Sequence, residues 1–308
     1  MRLLGDPSDL GHPSSGVCLA LGMFDGVHLG HQHVVRHAVL DARALGAKSV
    51  VVTFDPHPLA VVLPERAPRL LQSLPQRLRA LGTLGVDAIL PIHFTREVAQ
   101  VDGDRFIRQL AAGFGRLRSV TVGSGFQFGH RRSGNVALLR ELGRELHFVT
   151  HEAAAIHVGD DRVSSTRIRA ALREGRLGDV AELLGRPYAL AGTVIHGRQL
   201  GRTLGFPTAN IDVPNLELPP NGVYAARVRL GDSDPLAVLN LGLRPTLQDG
   251  VSVPRLEVHL LDFDGDLYGS EIEVEFVQQL RPEQKFPSLD ALQTQIRRDV
   301  DAARQVLG

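Results

Sequence analysis

The first feature with evident chemistry is a run of glycines and histidines near the start of the chain. Residues 22–31 read Gly-Met-Phe-Asp-Gly-Val-His-Leu-Gly-His and directly follow an apolar run at residues 17–21. Glycines let a backbone approach a phosphate closely. His28 and His31 would stand at the start of the next helix, where backbone N–H groups and the helix dipole favour an anion. The segment therefore predicts a binding site for a triphosphate.

The same histidines leave two other interpretations open. His33 and His37 follow on the same predicted helix, and four histidines within ten residues could together bind zinc. His28 and His31 could also be ordinary loop and cap residues. No cysteine or glutamate at ligand spacing joins the four histidines, and Gly30 suits the approach of a phosphate better than the geometry of a metal site.

A segment rich in hydroxyl groups precedes a later predicted helix. Residues 163–169 read Val-Ser-Ser-Thr-Arg-Ile-Arg. Serine and threonine hydroxyls can accept hydrogen bonds from the first N–H groups of a helix, and arginines one turn further on can bind an anion. By itself this pattern is typical of a capped helix.

The second half of the chain carries a glycine-rich stretch that ends in a rigid turn. Glycines recur over residues 192–205, where a predicted strand becomes a loop, and Pro-Thr-Ala-Asn follows at residues 207–210. The turn presents one hydroxyl and one amide oxygen two residues apart, and both are hard ligands that suit Mg²⁺ beside phosphates. The glycines alone indicate only a turn region.

In the first half of the chain, the glycine-histidine run and the hydroxyl-rich segment must be positioned by both strands and helices. Short β-branched runs alternate there with helical patterns, which favours a parallel sheet flanked by helices. The predicted strands are 17–22, 49–54, 88–92, 119–123 and 146–150, and the predicted helices are 31–45, 76–84, 103–112 and 135–142.

The second half has a different pattern. A short predicted helix at 179–184 precedes predicted strands at 190–196, 224–230, 236–241, 256–263 and 271–280 and a closing helix that begins near residue 287. Strands joined by Gly, Pro and Asp turns favour a small antiparallel barrel. We therefore expect an α/β protein, with a Rossmann-like domain over residues 1–185 and a barrel domain over residues 186–308.

Composition excludes several classes of protein. The 308 residues are 43% hydrophobic with a formal net charge of zero, so no basic surface for nucleic acid is expected. The two lysines, Lys48 and Lys285, do not follow glycines, which excludes a P-loop, and the early glycines lack the spacing of an NAD fingerprint. The chain has one cysteine, Cys18, in an apolar run, and it shows neither a signal-peptide core nor an apolar run long enough to span a membrane. We therefore predict a cytoplasmic protein without membrane contact.

The motifs of the first half together resemble a known family. The His-x-Gly-His and Ser-Ser-Thr-x-x-Arg patterns are similar to those of the nucleotidyltransferase superfamily, and within it to the prokaryotic FAD synthetases. Residues 53–58, Thr-Phe-Asp-Pro-His-Pro, and residues 122–129, Val-Gly-Ser-Gly-Phe-Gln-Phe-Gly, also resemble that family.

The second half resembles riboflavin kinase over about residues 185–305. The resemblance continues from the Pro-Thr-Ala-Asn turn through Asn-Gly-Val-Tyr-Ala at 221–225, Asn-Leu-Gly-Leu-Arg-Pro-Thr at 240–246, Glu-Val-His at 257–259 and Leu-Arg-Pro-Glu-Gln-Lys-Phe at 280–286. The chain as a whole therefore resembles the bifunctional FAD synthetase family.

For the first domain the resemblance implies adenylyl transfer from ATP to FMN, giving FAD and pyrophosphate. His28, His31 and Arg169 would offset charge that develops on the phosphates, and Ser165 and Thr166 would donate to phosphate oxygens. Asp25 would hold the flavin or a metal ion, or would stabilise the turn. The other implied nucleotide or flavin contacts are Gly22, Phe24, Gly26, Gly30, Phe126 and Phe128.

For the second domain the resemblance implies phosphorylation of riboflavin by ATP. Glu257 would be the catalytic base for the riboflavin 5′-hydroxyl, while Thr208 and Asn210 would bind Mg²⁺. The other implied contacts are Gly197, Gly201 and Gly205 on the phosphates, Asn240, and Arg281 and Phe286 over the flavin ring. Arg281 and Phe286 could instead be ordinary surface and packing residues. Small-molecule substrates are the expected partners, and we expect a monomer or weak self-association.

Two alternatives retain part of this function. Gly125 and Gln127 stand where the family usually carries other residues, so an enzyme with the kinase activity alone is one alternative. The other is a regulator that binds flavin and nucleotide without turnover, and the intact set of implied catalytic residues argues against it.

Overall fold

The protein is described by a computed structural model over residues 1–197, 200–213, 215–231, 233–245 and 252–308, without the side chains of residues 200, 202, 243–245 and 252–254. By packing, the chain divides into two compact units. The first is Met1–Arg69 with Leu74–Ser165, and the second is Leu70–Ser73 with Thr166–Gly308. This packing boundary precedes the functional boundary that the sequence suggests after residue 185.

The first unit is built on a sheet of six parallel strands in the order β1-β4-β3-β2-β5-β6. The strands are β1 Arg2–Leu3, β2 Val17–Leu21, β3 Lys48–Asp55, β4 Ala88–His93, β5 Leu117–Gly123 and β6 Val149–Ala153. The helices are α1 Leu29–Leu45, α2 Pro58–Val62, α3 Leu74–Gly82, α4 Gly103–Phe114 and α5 Val136–Leu146. A two-stranded ribbon, β7 His157–Val158 and β8 Asp161–Arg162, follows.

Strand order determines where this unit can bind a ligand. From β2 the chain adds β3 and β4 on one side and then returns to add β5 on the other, so the order reverses beside β2. Ligands of open α/β sheets bind at such a reversal, beyond the carboxyl ends of the strands. Residues 22–31 follow β2 and residues 124–134 follow β5, so both predicted motifs lie at this edge.

All five residues of β2 are buried, as expected for a strand with a packed layer on each face. Leu19 and Leu21 pack in the core on one face with Phe106 and Phe114 of α4, whereas Ala20 packs in the core on the other face with α1. The parallel sheet predicted from alternating β-branched and helical patterns is confirmed.

The second unit contains a closed barrel with strand order β10-β13-β12-β11-β14-β9, in which the pairings are antiparallel. Its elements are α6 Ser165–Arg173, which begins at the last residue of the first unit, α7 Leu177–Leu184, β9 Ala189–Ile195, α8 Leu200–Thr203, β10 Ala209–Ile211, β11 Gly222–Arg229, β12 Leu236–Pro245, β13 Ser252–Leu260, β14 Glu271–Arg281 and α9 Leu289–Leu307. Helix α9 covers part of the barrel through Ala303 and Leu307, which pack with Val223 and Ala225. The predicted barrel with its closing helix is confirmed.

Several elements differ from the sequence predictions. The strand expected at 146–150 begins only at Val149, because Leu146 continues the apolar face of α5 and His147, with a φ of 61°, ends that helix in the left-handed region. The strand expected at 256–263 runs instead over Ser252–Leu260, and Asp262 turns with a φ of 54°. The three-residue strand β10 was not predicted, since Ala209–Ile211 is too short to show a period of two.

Candidate active sites

The two histidines of the first motif stack on each other at the start of α1. His28 is the N-cap residue, and its Nδ1 accepts a hydrogen bond from the backbone N–H of His31 at 3.2 Å. The two imidazole rings are 3.5 Å apart between centroids and nearly parallel. Because Nδ1 is an acceptor, the neutral His28 ring carries its proton on Nε2 and can donate it. A Cβ on Gly30 would lie 3.1 Å from Cε1 of His28, so glycine permits this close packing.

His31 is held in its neutral form. Burial lowers its pKa well below the usual value of 6.5, and the neighbouring His28, Arg77 and Arg162 act in the same direction. The ring also packs edge-on against Phe24, 5.4 Å between centroids. His31 therefore contributes a polar but uncharged surface beside the helix N-terminus, where an anion would supply the counter-charge for the surrounding arginines.

Arg77 of α3 is a buried cation that the sequence motifs do not include. Its side chain donates to the carbonyl of Met23 at 3.3 Å and to that of Phe54 at 2.9 Å, and it lies 3.4 Å from a carboxylate oxygen of Asp55. Burial lowers the pKa of Arg77, while Asp25 and Asp55 oppose that shift. The guanidinium thus connects the glycine-histidine loop to the end of β3. These partners are distant in the chain, so no local sequence pattern on α3 could have predicted the contacts.

The hydroxyl-rich segment is joined to the first motif. Ser165 donates from its hydroxyl to the carbonyl of Asp25 at 2.9 Å, and Asp25 itself is only 2% exposed. Thr166 and Arg169 follow on α6 and belong by packing to the second unit, where Arg169 is buried. Gly22, Phe24 and Gly26 lie in the same loop as Asp25, and the Phe24 ring packs so closely that a Cβ on Gly22 would come within 2.9 Å of it.

The loop after β5 places two predicted aromatic contacts side by side. Phe126 and Phe128 stack with centroids 5.5 Å apart. Phe128 is buried and packs against Phe106, whereas Phe126 is half-buried. Gly125 has a φ of +70° and no atom within 4 Å of a hypothetical Cβ. Glycine adopts this backbone region without strain, and asparagine and aspartate are the other residues that tolerate it best.

The four-histidine zinc site left open by the sequence does not form. Residues 28–37 are all described, and His28 and His31 stack on each other, while His37 meets Asp41 and His151 instead. Among the described residues, this trio is the one group of three or more His, Cys, Asp or Glu side chains whose ligand atoms lie within 4.8 Å of one another.

In the barrel, strand register brings three predicted residues into one row. Glu257 of β13 is paired with Asn210 of β10 on one side and with Asn240 of β12 on the other. Residues directly opposite each other on neighbouring strands share a face of the sheet. The predicted base and the predicted amide ligand therefore face the same side, although they lie far apart in the sequence.

Arg255 completes this row and is absent from the residues predicted by sequence. Its Nη2 lies 2.5 Å from Oε1 of Glu257, and its Nε donates to Oδ1 of Asn210 at 3.1 Å. Arg255 stands two residues before Glu257 on one strand, so both side chains share a face. The two-residue spacing was the sequence feature that could have identified Arg255 as a neighbour of Glu257. It does so only once residues 255–257 are known to form a strand.

The glycine-rich loop packs around the predicted metal ligands. A Cβ on Gly197 would collide with the amide of Asn210, and one on Gly201 would come within 3.2 Å of the hydroxyl oxygen of Thr208. Gly205 follows the short helix α8 with a φ of +84°. Arg198 and Gln199 of this loop, and Thr246 of the later motif, lie outside the described residues.

A cleft of about 580 Å³ opens beside Thr208. Its apolar walls include Val194, Leu260, Phe263 and Tyr268, and polar groups of the turn at residues 264–266 also line it. Polar and apolar groups therefore share the lining of this cleft, and a concave site of this kind can bind a small molecule.

Arg281 and Phe286 lie together, with the guanidinium carbon 5.6 Å from the centre of the ring. Arg281 donates from Nε and Nη2 to the carboxylate of the buried Asp299 on α9, at 2.9 and 2.8 Å. The arginine therefore joins β14 to the closing helix in this structure.

Comparisons with known proteins agree with both halves of the molecule. The FAD synthetase family model matches residues 12–167, and the riboflavin kinase family model matches residues 184–307. A bifunctional riboflavin kinase/FMN adenylyltransferase of Haemophilus influenzae is 38% identical over 99% of this chain and 98% of that protein. The protein of the same description from Escherichia coli K12 is 40% identical over 96% of this chain and 94% of its own.

A solved structure has the same fold over its whole length. The crystal structure of a Streptococcus pneumoniae protein described as a macrolide-efflux protein superposes with a TM-score of 0.83 at 29% identity, covering 98% of both chains. In the part of this chain that the structure describes, no helix is both long and apolar enough to cross a membrane.

The parallel sheet, the closed barrel and the two family matches define a two-domain transferase class with a nucleotidyltransferase unit and a kinase barrel. The chain belongs to the bifunctional FAD synthetase family, with a FAD synthetase domain followed by a riboflavin kinase domain. The family that the sequence motifs resemble is thus confirmed.

Proposed function

We propose that this protein makes FAD in two steps, phosphorylating riboflavin with ATP in the barrel and then transferring AMP from a second ATP to FMN in the parallel-sheet domain. The observation that carries the proposal is that each matched domain holds a separate chemical constellation, namely the row of Asn210, Glu257 and Asn240 in the barrel and the stacked His28 and His31 in the sheet domain. The functional boundary is proposed after residue 185.

In the kinase step the 5′-hydroxyl oxygen of riboflavin attacks the γ-phosphorus of ATP, the bond to the β,γ-bridging oxygen breaks, and ADP leaves. Glu257 orients the hydroxyl and accepts its proton. The transition state of phosphoryl transfer is loose, so alignment and charge stabilisation supply most of the catalysis. The cleft beside Thr208 would take the nucleotide, with the adenosine against its apolar walls.

Mg²⁺ fits the donor set of the barrel. Thr208 offers a hydroxyl, and the buried Asn210 offers an amide oxygen, which in this structure accepts a hydrogen bond from Arg255. Thr208 and Asn210 would hold the ion, which when bound neutralises charge on the ATP phosphates. Gly197, Gly201 and Gly205 would leave room for those phosphates to approach the loop backbone.

In the adenylyl step a phosphate oxygen of FMN attacks the α-phosphorus of ATP, and the bond to the α,β-bridging oxygen breaks to release pyrophosphate. No covalent enzyme intermediate is required. His28 would donate from Nε2 to a phosphate oxygen, the α1 N-terminus would stabilise the anion, and Ser165, Thr166 and Arg169 would add donors. Phe126, packed on Phe128, would support the flavin ring.

The expected setting is a cytoplasmic enzyme acting on small molecules, as a monomer or in weak self-association.

The kinase-only and regulator alternatives are separated from the proposal by one assay. Purified protein is incubated with riboflavin, ATP and Mg²⁺, and the flavins are resolved by chromatography over time. We expect FMN to appear first and FAD to follow. FMN without FAD would contradict the second activity. Unconverted riboflavin would contradict the first, and the second is then tested with supplied FMN.

A further inference from the structure

A second group of chemically active side chains lies in the first unit, away from the stacked histidines. His37 and Asp41 stand one turn apart on α1, and His151 stands on β6. His37 Nδ1 is 3.8 Å from Oδ2 of Asp41, and His151 Nε2 is 2.9 Å from the same oxygen. The rings of His37 and His151 are 4.5 Å apart between centroids.

These separations resemble those around a bound metal ion. Zinc binds histidine nitrogen and carboxylate oxygen at about 2.0–2.2 Å, which places two tetrahedral ligands roughly 3.3–3.6 Å apart. The two measured separations, 2.9 and 3.8 Å, bracket that range, and the three ligand atoms all lie within 4.8 Å of one another. Small side-chain rotations would bring them into a common coordination sphere.

Two buried polar atoms in this part of the first unit have no hydrogen-bond partner. They are His37 Nδ1 and the hydroxyl oxygen of Thr121, while the buried Asp41 Oδ2 has His151 Nε2 2.9 Å away. Thr121 is paired in the sheet with both His151 and Ala20, and Ala20 packs on the face that α1 covers. Buried unsatisfied polar atoms are rare in native proteins. His37 Nδ1 lies within 4.8 Å of the ligand atoms of Asp41 and His151, so an ion bound by the three would give this nitrogen the partner it lacks.

We propose that His37, Asp41 and His151 bind a divalent first-row transition metal ion of the Zn²⁺ type, with water in the remaining position. Two imidazoles and one carboxylate are a preferred donor set for such ions, whereas Mg²⁺ and Ca²⁺ prefer oxygen ligands alone. The three side chains are partly buried, with 23–35% of their surface exposed.

The ion would join α1 to β6 without taking part in adenylyl transfer. His37 follows the N-cap residue His28 by nine positions, about 13 Å along the helix axis. The helix that the ion would fix is nevertheless the one that presents His28 and His31. The proposal is independent of the proposed function, because it requires only that this helix and strand meet as described.

The test is zinc binding by the full chain after treatment with a chelator. Zn²⁺ is titrated calorimetrically in the presence of excess Mg²⁺, which occupies sites built from oxygen ligands, and Co²⁺ absorption provides a second readout. We expect His151→Ala and Asp41→Asn to weaken one Zn²⁺ site by about 100-fold or more, since loss of even a supporting group costs about 10- to 100-fold. His33→Ala, on the same helix but outside the trio, is the matched control and should bind like the wild type.

The same titrations can also contradict the proposed metal site. Unchanged Zn²⁺ affinity in both His151→Ala and Asp41→Asn would overturn the proposal, and so would loss of the site in His33→Ala. Circular dichroism of the metal-free proteins checks that each variant is folded. Asp41→Asn keeps the size of the native side chain and carries the test if an alanine variant does not fold.

Discussion

Arg255 and Glu257 form an ion pair of 2.5 Å between Nη2 and Oε1, inside the row of barrel residues that contains the proposed kinase base. The same guanidinium donates to Asn210 at 3.1 Å. One cationic side chain therefore engages both the proposed base and a proposed Mg²⁺ ligand. The Arg255 guanidinium and a Mg²⁺ ion would therefore compete for the Asn210 amide oxygen.

Arg255→Gln is expected to lower the Mg²⁺ concentration that half-saturates riboflavin phosphorylation, by about tenfold, because a hydrogen bond to a charged group is worth about 1.5–3 kcal/mol and the competitor is removed. The measurement is the initial rate of FMN formation against Mg²⁺ concentration. Arg229→Gln, an exposed arginine on β11, is the control. An unchanged or higher Mg²⁺ requirement would count against competition at Asn210.

Substitution of the two proposed centres should separate the two activities. Glu257→Gln removes the proton acceptor and is expected to lower FMN production by about 10²- to 10⁴-fold while FAD formation from supplied FMN persists. His31→Ala should do the reverse. Both rates are measured on each variant by chromatography, with Glu271→Gln, at the exposed start of β14, as the control. Loss of both activities in either variant would contradict separate active sites.

The depressed pKa of His31 predicts a pH dependence of stability. A histidine in the unfolded chain titrates near pH 6.5, whereas folded His31 resists protonation to well below that value. Between those two pKa values the unfolded state binds the extra proton, so the free energy of unfolding falls as the pH falls below about 6.5, by up to about 1.4 kcal/mol per pH unit. Above pH 6.5 this contribution is constant.

His31→Gln should therefore lose less stability than the wild type between pH 7.5 and pH 5.5, as measured by urea unfolding at each pH. His33→Gln on the same helix is the control and is expected to follow the wild type. Parallel stability losses in wild type and His31→Gln would show that His31 is protonated in the folded protein at the lower pH.

Arg77→Met should damage the first unit specifically. The change removes the donor from two backbone carbonyls and takes away a buried positive charge beside Asp25 and Asp55, a type of loss that costs about 3–5 kcal/mol. We expect a lower unfolding temperature and reduced FAD synthesis, with riboflavin phosphorylation retained. Arg79→Met, exposed on the same helix, is the control, and equal effects of the two substitutions would refute a positioning role for Arg77.

Gly125 gives a test of backbone conformation in the loop after β5. Its φ of +70° admits asparagine readily but costs a β-branched residue about 1–2 kcal/mol or more, and no atom lies within 4 Å of a Cβ at this position. Gly125→Asn should keep FAD synthesis close to wild type, whereas Gly125→Val should raise the KM for FMN. Equal KM values for the two variants would mean that the loop conformation does not matter for FMN binding.

Much of this protein could be predicted from local sequence. The glycine-histidine run, the Ser-Ser-Thr segment and the Pro-Thr-Ala-Asn turn are each contiguous, and the alternation of β-branched and helical patterns indicates the fold class because each element shows its own period. These patterns depend only on neighbouring residues, so the amino-acid sequence by itself determined them.

The tertiary structure alone decided which distant side chains meet. Arg77 donates to a carbonyl 54 positions away, Arg255 binds an amide 45 positions away, and Asp41 of α1 meets His151 of β6. It also decided that His37 lies beside Asp41 rather than beside His28 and His31. Such pairings depend on strand order, register and the rotation of a helix against the sheet, and these are fixed by the burial of apolar faces from the whole domain rather than by any short stretch of sequence.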